Sequence, residues 1–325
     1  MTVYKTGKLP AQPIATAIRF GDIFTNLPVP PLVFGHEALM GDQPWNMLGN
    51  DEFSNCVWAA AAHDMYLWSL IGGRPRIHIT TLDTLLDYGA VTGFRTDDPS
   101  TDKGTLMSAA VEYYRTVGIR DSSGERHQIS SYVALNPGDL DQLATAVYLF
   151  GAIDIGISIS SAQSQQFEQG VPWHSTINPF TGGHCVPIVG RNSAGNFLCI
   201  TWGRLHAITP EFIQKNMDEG YAYLSDNIIG LSGLSPENFN QAQLKKMLSQ
   251  LASARTAKVM TEIKREEYSS KYAAVSATEP SKAQYDAAFE TLRADINNAG
   301  FGAFLSDDKL RPFSDAVAFA VVTAV

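Results

Sequence analysis

Apolar positions change their spacing along the chain, and the changes predict its elements. Between 56 and 70, CVWAAAAHDMYLWSL holds strong helix formers and neither Gly nor Pro, which predicts a helix. Ahead of it, Gly49-Asn50-Asp51-Glu52-Phe53-Ser54-Asn55 is polar turn chemistry with N-cap side chains, so Cys56 is expected at or near the helix start. Further helices are predicted over 104–117, ended by Gly118, and over 137–149. From 151 to 160 the period falls to two. Ile153, Ile155, Ile157 and Ile159 share one face of a strand, with Asp154 on its polar face. Strands are also expected over 184–190 and 196–201, joined by the hairpin connection Asn192-Ser193-Ala194-Gly195. A helical first half and a β second half predict an α+β fold, not the alternation of a doubly wound sheet.

The flanks read differently. Residues 1–45 are broken by Pro10, Pro13, Pro28, Pro30, Pro31 and Pro44, which favours extended chain and predicts a strap over the domain. A cleaved inhibitory prosegment is the functional alternative, although long charged helices are missing. Beyond 230, Leu244, Leu248, Leu251, Val259 and Ile263 stripe a long helix over 240–268. Tyr285, Ala288, Phe289, Leu292 and Ile296 stripe another over 281–298, started by Pro280-Ser281. The organisation expected is therefore one domain over 1–230, with 1–45 as its strap, and a helical extension over 231–325. The stripes and the apolar end SDAVAFAVVTAV serve either packing within the chain or a homo-oligomer or larger assembly.

Composition narrows the function. The chain of 325 residues is 45% hydrophobic and 18% charged, enough to bury a large core. Its net charge is −9, which argues against nucleic acid as a partner. Residues 231–325 hold 11 basic and 11 acidic side chains, so the whole charge resides in 1–230. Three cysteines, Cys56, Cys185 and Cys199, are too few for a disulfide scaffold. The N-terminus lacks the apolar core of a signal peptide, and no stretch approaches the ~20 apolar residues that span a bilayer. A soluble protein of a reducing compartment is expected, cytoplasmic or carried in a virion or particle, with no membrane partner. HExxH, paired CxxC, P-loop and GxSxG motifs are missing, and neither a metal nor a cofactor is expected.

The remaining chemistry centres on one thiol. A helix N-terminus and a nearby imidazolium both favour thiolate. Cys56 has the first. Of seven histidines, His63 lies seven residues along the same helix, out of reach, whereas His184 opens a strand after Gly182-Gly183. Trp173 and Phe180, just before that glycine pair, are expected to line a groove. Cys185 and Cys199 read as buried strand residues.

Three segments in order, Asn55-Cys56-Val57-Trp58-Ala59, Gly183-His184-Cys185-Val186-Pro187-Ile188-Val189-Gly190 and Ile200-Thr201-Trp202-Gly203, resemble the nucleophile, histidine and Asn-Ser-Trp-Gly segments of papain-like cysteine peptidases. The separation of 128 residues between Cys56 and His184 fits their spacing of about 130. The Gly-Asn-Asp approach to the cysteine and the Thr-Trp-Gly strand end are also similar to those of phage and bacterial papain-like proteins. The resemblance covers roughly 45–230. It implies a helical subdomain plus an antiparallel β subdomain, a Cys56–His184 dyad, and Asn50 as the oxyanion-hole amide. It further implies a peptide or protein substrate, with Trp202 packed beside the histidine in the substrate site. The residue matching the family's histidine-orienting Asn is Ile200, which leaves Thr201, Asn192, an Asp from elsewhere or an unaided dyad. The implied function is thiol-dependent hydrolysis of peptide or other amide bonds through a thioester acyl-enzyme. The same thioester resolved by an amine gives an acyl transferase. The opposing reading is a structural or assembly protein that retains an impaired papain-like fold.

Overall fold

The computed structural model describes residues 4–12, 14, 17–23 and 28–228. The elements are α1 (Phe20–Ile23), β1 (Phe34–Gly35), α2 (Cys56–Ile71), α3 (Thr81–Thr92), α4 (Met107–Thr116), β2 (Ile119–Arg120), β3 (Arg126–His127) and β4 (Ser131–Ala134). They continue with α5 (Leu140–Phe150), β5 (Ile153–Ser160), α6 (Ser161–Glu168), β6 (Phe180–Arg191), β7 (Phe197–Thr201), β8 (Arg204–Ile208), α7 (Pro210–Asn216) and β9 (Met217–Leu224). Among the described residues no helix is long and apolar enough to cross a membrane. The helices predicted beyond 230 lie outside the described residues.

Helix α2 is the axis of the helical half. Every residue from Cys56 to Ser69 is buried, as a helix apolar all round must be. Tyr114 on α4 donates to the Val57 carbonyl at 2.9 Å, and Trp68 Nε1 reaches the Phe150 carbonyl of α5 at 2.9 Å. Helix α3 starts on a capping box in which Thr80 and Asp83 satisfy each other's backbone N–H.

The β half is one antiparallel sheet in the order β4-β9-β5-β6-β7-β8, with β1 added to β6. Strand β5 is central. Ile157 on β5 stands opposite His184 on β6, and Gly156 stands opposite both Cys185 on β6 and Glu219 on β9. Packing of α2 against β6 sets the helix that begins at Cys56 on the strand that carries His184.

One expectation fails at Asp154. The alternation of β5 placed it on a polar face, yet it is wholly buried. Both faces of the strand are covered, and the carboxyl meets Tyr223 Oη at 3.1 Å and Asp64 of α2.

Candidate active site

Cys56 is the first residue of α2, and the turn that delivers it is tightly tied. Asn46, Leu48 and Gly49 have φ of 62°, 56° and 83°, left-handed values that fold the chain sharply just before the helix. Asn55 Nδ2 and Thr84 Oγ1 both donate to the Leu48 carbonyl, at 2.8 and 3.0 Å. The Asp102 carboxylate holds the Ser54 N–H at 3.0 Å. Asn46 forms an antiparallel bridge to Gly203, so the cysteine turn is joined to the strand end that follows Thr201-Trp202.

His184 is buried near the start of β6. Its Nε2 lies 2.8 Å from Thr201 Oγ1 at the end of β7, while its Nδ1 is buried with no hydrogen-bond partner among the described residues. The indole of Trp202 stacks on the imidazole, centroids 4.9 Å apart and planes 24° from parallel. Trp202 reaches that position with a φ of 45°. Trp173 stands behind, 6.2 Å from the imidazole and 5.5 Å from Trp202, with Nε1 donating to the Gln163 carbonyl at 2.8 Å. Ile200, beside Thr201, is buried and apolar. Asn192 spends its side-chain oxygen on the N–H groups of Ala194 and Asn196 in the hairpin turn.

Burial sets the protonation of both the Cys56 thiol and the His184 imidazole. It pushes the Cys56 thiol up to about 11, opposed by backbone N–H groups of Cys185, Gly7, Val57 and Lys8 that favour the thiolate. It pushes the His184 imidazole down to about 3. Thiol and imidazole are both neutral at pH 7 in this arrangement.

The burial comes in part from the chain's own N-terminus. Residues 4–9 run extended across the groove. Gly7 and Lys8 N–H both donate to the Gly183 carbonyl, at 3.2 and 3.1 Å. On the other wall Thr105 N–H donates to the Gly7 carbonyl at 2.7 Å, and Leu9 N–H to the Thr105 carbonyl at 3.0 Å. A Cβ on Gly7 would overlap the Ser54 carbonyl, and one on Gly183 the Lys8 carbonyl, so the close approach needs glycine at both. Tyr4 stacks on Trp202 at 4.4 Å, meets Phe167 edge-on and bonds Glu168, while Trp202 Nε1 donates to the Lys5 carbonyl at 3.1 Å.

The other residues singled out in the sequence fall as follows. Asn50 is buried in the turn, its Nδ2 3.4 Å from the Phe53 carbonyl. Phe180 is 65% exposed at the start of β6, whereas Trp173 is fully buried and supports the His184–Trp202 pair instead of lining a groove. His63 bonds the Trp45 and Asn46 carbonyls at 3.0 and 3.1 Å. Lys8, Asp218 and Glu219, described below, escaped the sequence reading. Among the described residues one group has metal-ligand spacing: Asp121, Glu125 and His127, at the β2–β3 turn. There Asp121 Oδ1 accepts from the Ser123 and Glu125 N–H groups and Oδ2 pairs with His127 at 2.9 Å, so its oxygens serve the turn.

No family model and no curated protein sequence matches the chain. Solved structures match it by shape. Xylellain, a cysteine protease from Xylella fastidiosa, aligns over 69% of this chain and 98% of its own, with a TM-score of 0.52 at 12% identity. Procathepsin L2 from the larval midgut of Tenebrio molitor aligns over 68% and 78%, with a TM-score of 0.49 at 15% identity. The Cwp84 cysteine protease and lectin-like domains of Clostridium difficile align over 68% and 56%, with a TM-score of 0.48 at 15% identity. The fold is that of the papain-like cysteine proteases, α+β with an antiparallel sheet.

Proposed function

We propose that this protein hydrolyses peptide or other amide bonds, with Cys56 as nucleophile and His184 as general base and acid. The observation that carries the reading is the His184 ring. Thr201 holds its Nε2, Trp202 covers its face, and Nδ1 alone has no partner. An imidazole fixed at one nitrogen and unpaired at the other is poised for proton transfer. Thr201 takes the orienting role that Ile200 cannot fill.

In this mechanism Nδ1 removes the thiol proton and Sγ attacks the carbonyl carbon. The Cys56 N–H and the Asn50 amide, which turns from its long bond to Phe53, hold the oxyanion. The C–N bond breaks as His184 returns the proton to the leaving amine. Water, deprotonated by His184, then cleaves the thioester. Residues 4–9 must leave the groove first, and their departure rehydrates both groups and draws both proton affinities toward ordinary values.

The sealed groove and the neutral pair favour a second reading, a scaffold with silent chemistry. Incubation of the full chain with a proteome-derived peptide mixture, with products read by mass spectrometry, separates the two. The proposal expects new termini from wild type and none from Cys56→Ala. Identical peptide profiles from both would favour the scaffold.

A further inference from the structure

Among the described residues of the strap, Lys8 is the one charged side chain taken wholly inside, and its surroundings are specific. Its side chain is 1% exposed, with Nζ 2.5 Å from Asp218 Oδ2 and 3.0 Å from Glu219 Oε1. The aliphatic stem passes over Gly156 of β5, where any Cβ would overlap Lys8 Cε. Glu219 stands opposite Gly156 across the strands, and its other oxygen accepts from Tyr221 at 3.1 Å. Two carboxylates at the base of a channel cleared by a glycine thus receive one ammonium.

The position of this channel gives it meaning. The N–H of the same Lys8 donates to the Gly183 carbonyl, one residue before His184, and lies near enough to the Cys56 thiol to favour its thiolate. A residue whose main chain lies at the nucleophile and whose side chain enters a neighbouring pocket is placed as a substrate residue flanking the reacting bond. The strap does not need this pair to stay seated, since four backbone hydrogen bonds and the Tyr4–Trp202 stack already hold it. We propose that Asp218 and Glu219 form a specificity pocket for a basic side chain, and that the enzyme takes peptides carrying Lys or Arg where Lys8 now sits. An apolar side chain there leaves the buried Glu219 carboxylate without its cation, a penalty that rejects it. Burial raises the affinity of Glu219 for a proton and Lys8 opposes this, as expected of a site completed by a cation.

The substrate class rests on Cys56 being the nucleophile, so the test reads binding. The full chain carrying Gly7→Ala with Lys8→Ala lifts the strap, since a methyl on residue 7 would overlap the Ser54 carbonyl, and empties the pocket of its own lysine. The probe is the fluorescein-labelled peptide Tyr-Lys-Thr-Gly-Lys-Leu-Pro-Ala-Gln, the sequence of residues 4–12, with Lys, Arg or norleucine at its fifth position. Fluorescence anisotropy is expected to give the Lys and Arg peptides at least about tenfold lower Kd than norleucine, as befits a buried charge pair. Asp218→Asn with Glu219→Gln, added to that double variant, removes the difference. The milder Asp218→Asn alone, at a partly exposed side chain, narrows it. Equal affinity for Lys and norleucine, no binding of the Lys peptide, or discrimination that survives the neutral variants overturns the proposal. A chain that discriminates yet cleaves nothing would retain the pocket and lose the catalytic reading.

Discussion

Burial moves the two reactive groups in opposite directions, the thiol up to about 11 and the imidazole down to about 3. The sign at each is that of a group kept neutral. Thiolate at Cys56 is therefore scarce at pH 7, and its labelling by an electrophile should accelerate about tenfold per pH unit as pH rises toward 11. Gly7→Ala, whose methyl would overlap the Ser54 carbonyl and lift the strap, should move that profile down by at least about one unit, toward the ordinary thiol value near 8.5. A pH–rate profile of labelling checks this, and superimposable profiles would detach the strap from the thiol's ionisation. At Thr201 the expectation concerns orientation. Thr201→Val keeps shape and loses the bond to Nε2, so kcat for a cleaved peptide should fall roughly 10–100-fold with KM little changed. Thr201→Ser should recover most of it, and a loss that Ser fails to restore would make Thr201 a packing residue. Reading the sequence could name Thr201 as a substitute for the absent Asn. It could not choose among Thr201, Asn192 and a distant Asp, because that choice depends on which strand ends beside the ring.

At the scale of elements, α2 and β5 are joined by two acids. Asp64 and Asp154 are both fully buried, burial raises the proton affinity of both, and at Asp64 the charge of Asp154 raises it further. One of the two keeps a proton, and Asp154 also accepts from Tyr223. In the unfolded chain both acids ionise above about 3.9. The pair therefore costs stability progressively as pH rises through that value, and costs nothing well below it. Asp64→Asn keeps a donor toward Asp154 and removes the requirement for the extra proton. Its melting temperature should exceed the wild-type value at pH 8 by a few degrees, about 2–4 °C per kcal/mol relieved, with little gain at pH 3. Calorimetry at the two pH values decides, and an equal shift at both would place the effect in packing. The elements themselves were partly legible. The Ala-rich run at 56, the isoleucine alternation at 153 and the hairpin at 192 all carry a local period, and their strands and helix form where that period predicts. Helix α3, with a mixed surface, the short strands β4 and β8, and the longer β9 carry too little periodicity to be found. Asp154 was misplaced because alternation marks one face apolar and cannot show that α2 covers the other.

For the whole molecule the decisive feature is the path of residues 4–9. Proline content marked the N-terminus as extended, but neither composition nor period records where an extended segment lies. Lys8 lies 210 residues before Asp218 and its neighbour Glu219, and the three acquire meaning only through that path. A Cβ on Gly7 would overlap the Ser54 carbonyl, so Gly7→Ala should lift the strap without touching the groove walls. Limited trypsin digestion should then cut after Lys8, whose side chain is sealed in the wild type. Resistance equal to wild type would mean that the strap tolerates the added methyl.

The most direct measurement of the central claim is intact-mass analysis after reaction with an epoxysuccinyl electrophile, with the modified residue located by peptide mapping. The full chain, its Gly7→Ala form, Cys56→Ala and His184→Ala are compared at pH 7. The account predicts one adduct per chain at Cys56, faster in Gly7→Ala, absent in Cys56→Ala, and slowed at least about 100-fold in His184→Ala. Adducts at Cys185 or Cys199, or labelling of Cys56 at the same rate with His184 removed, would contradict it.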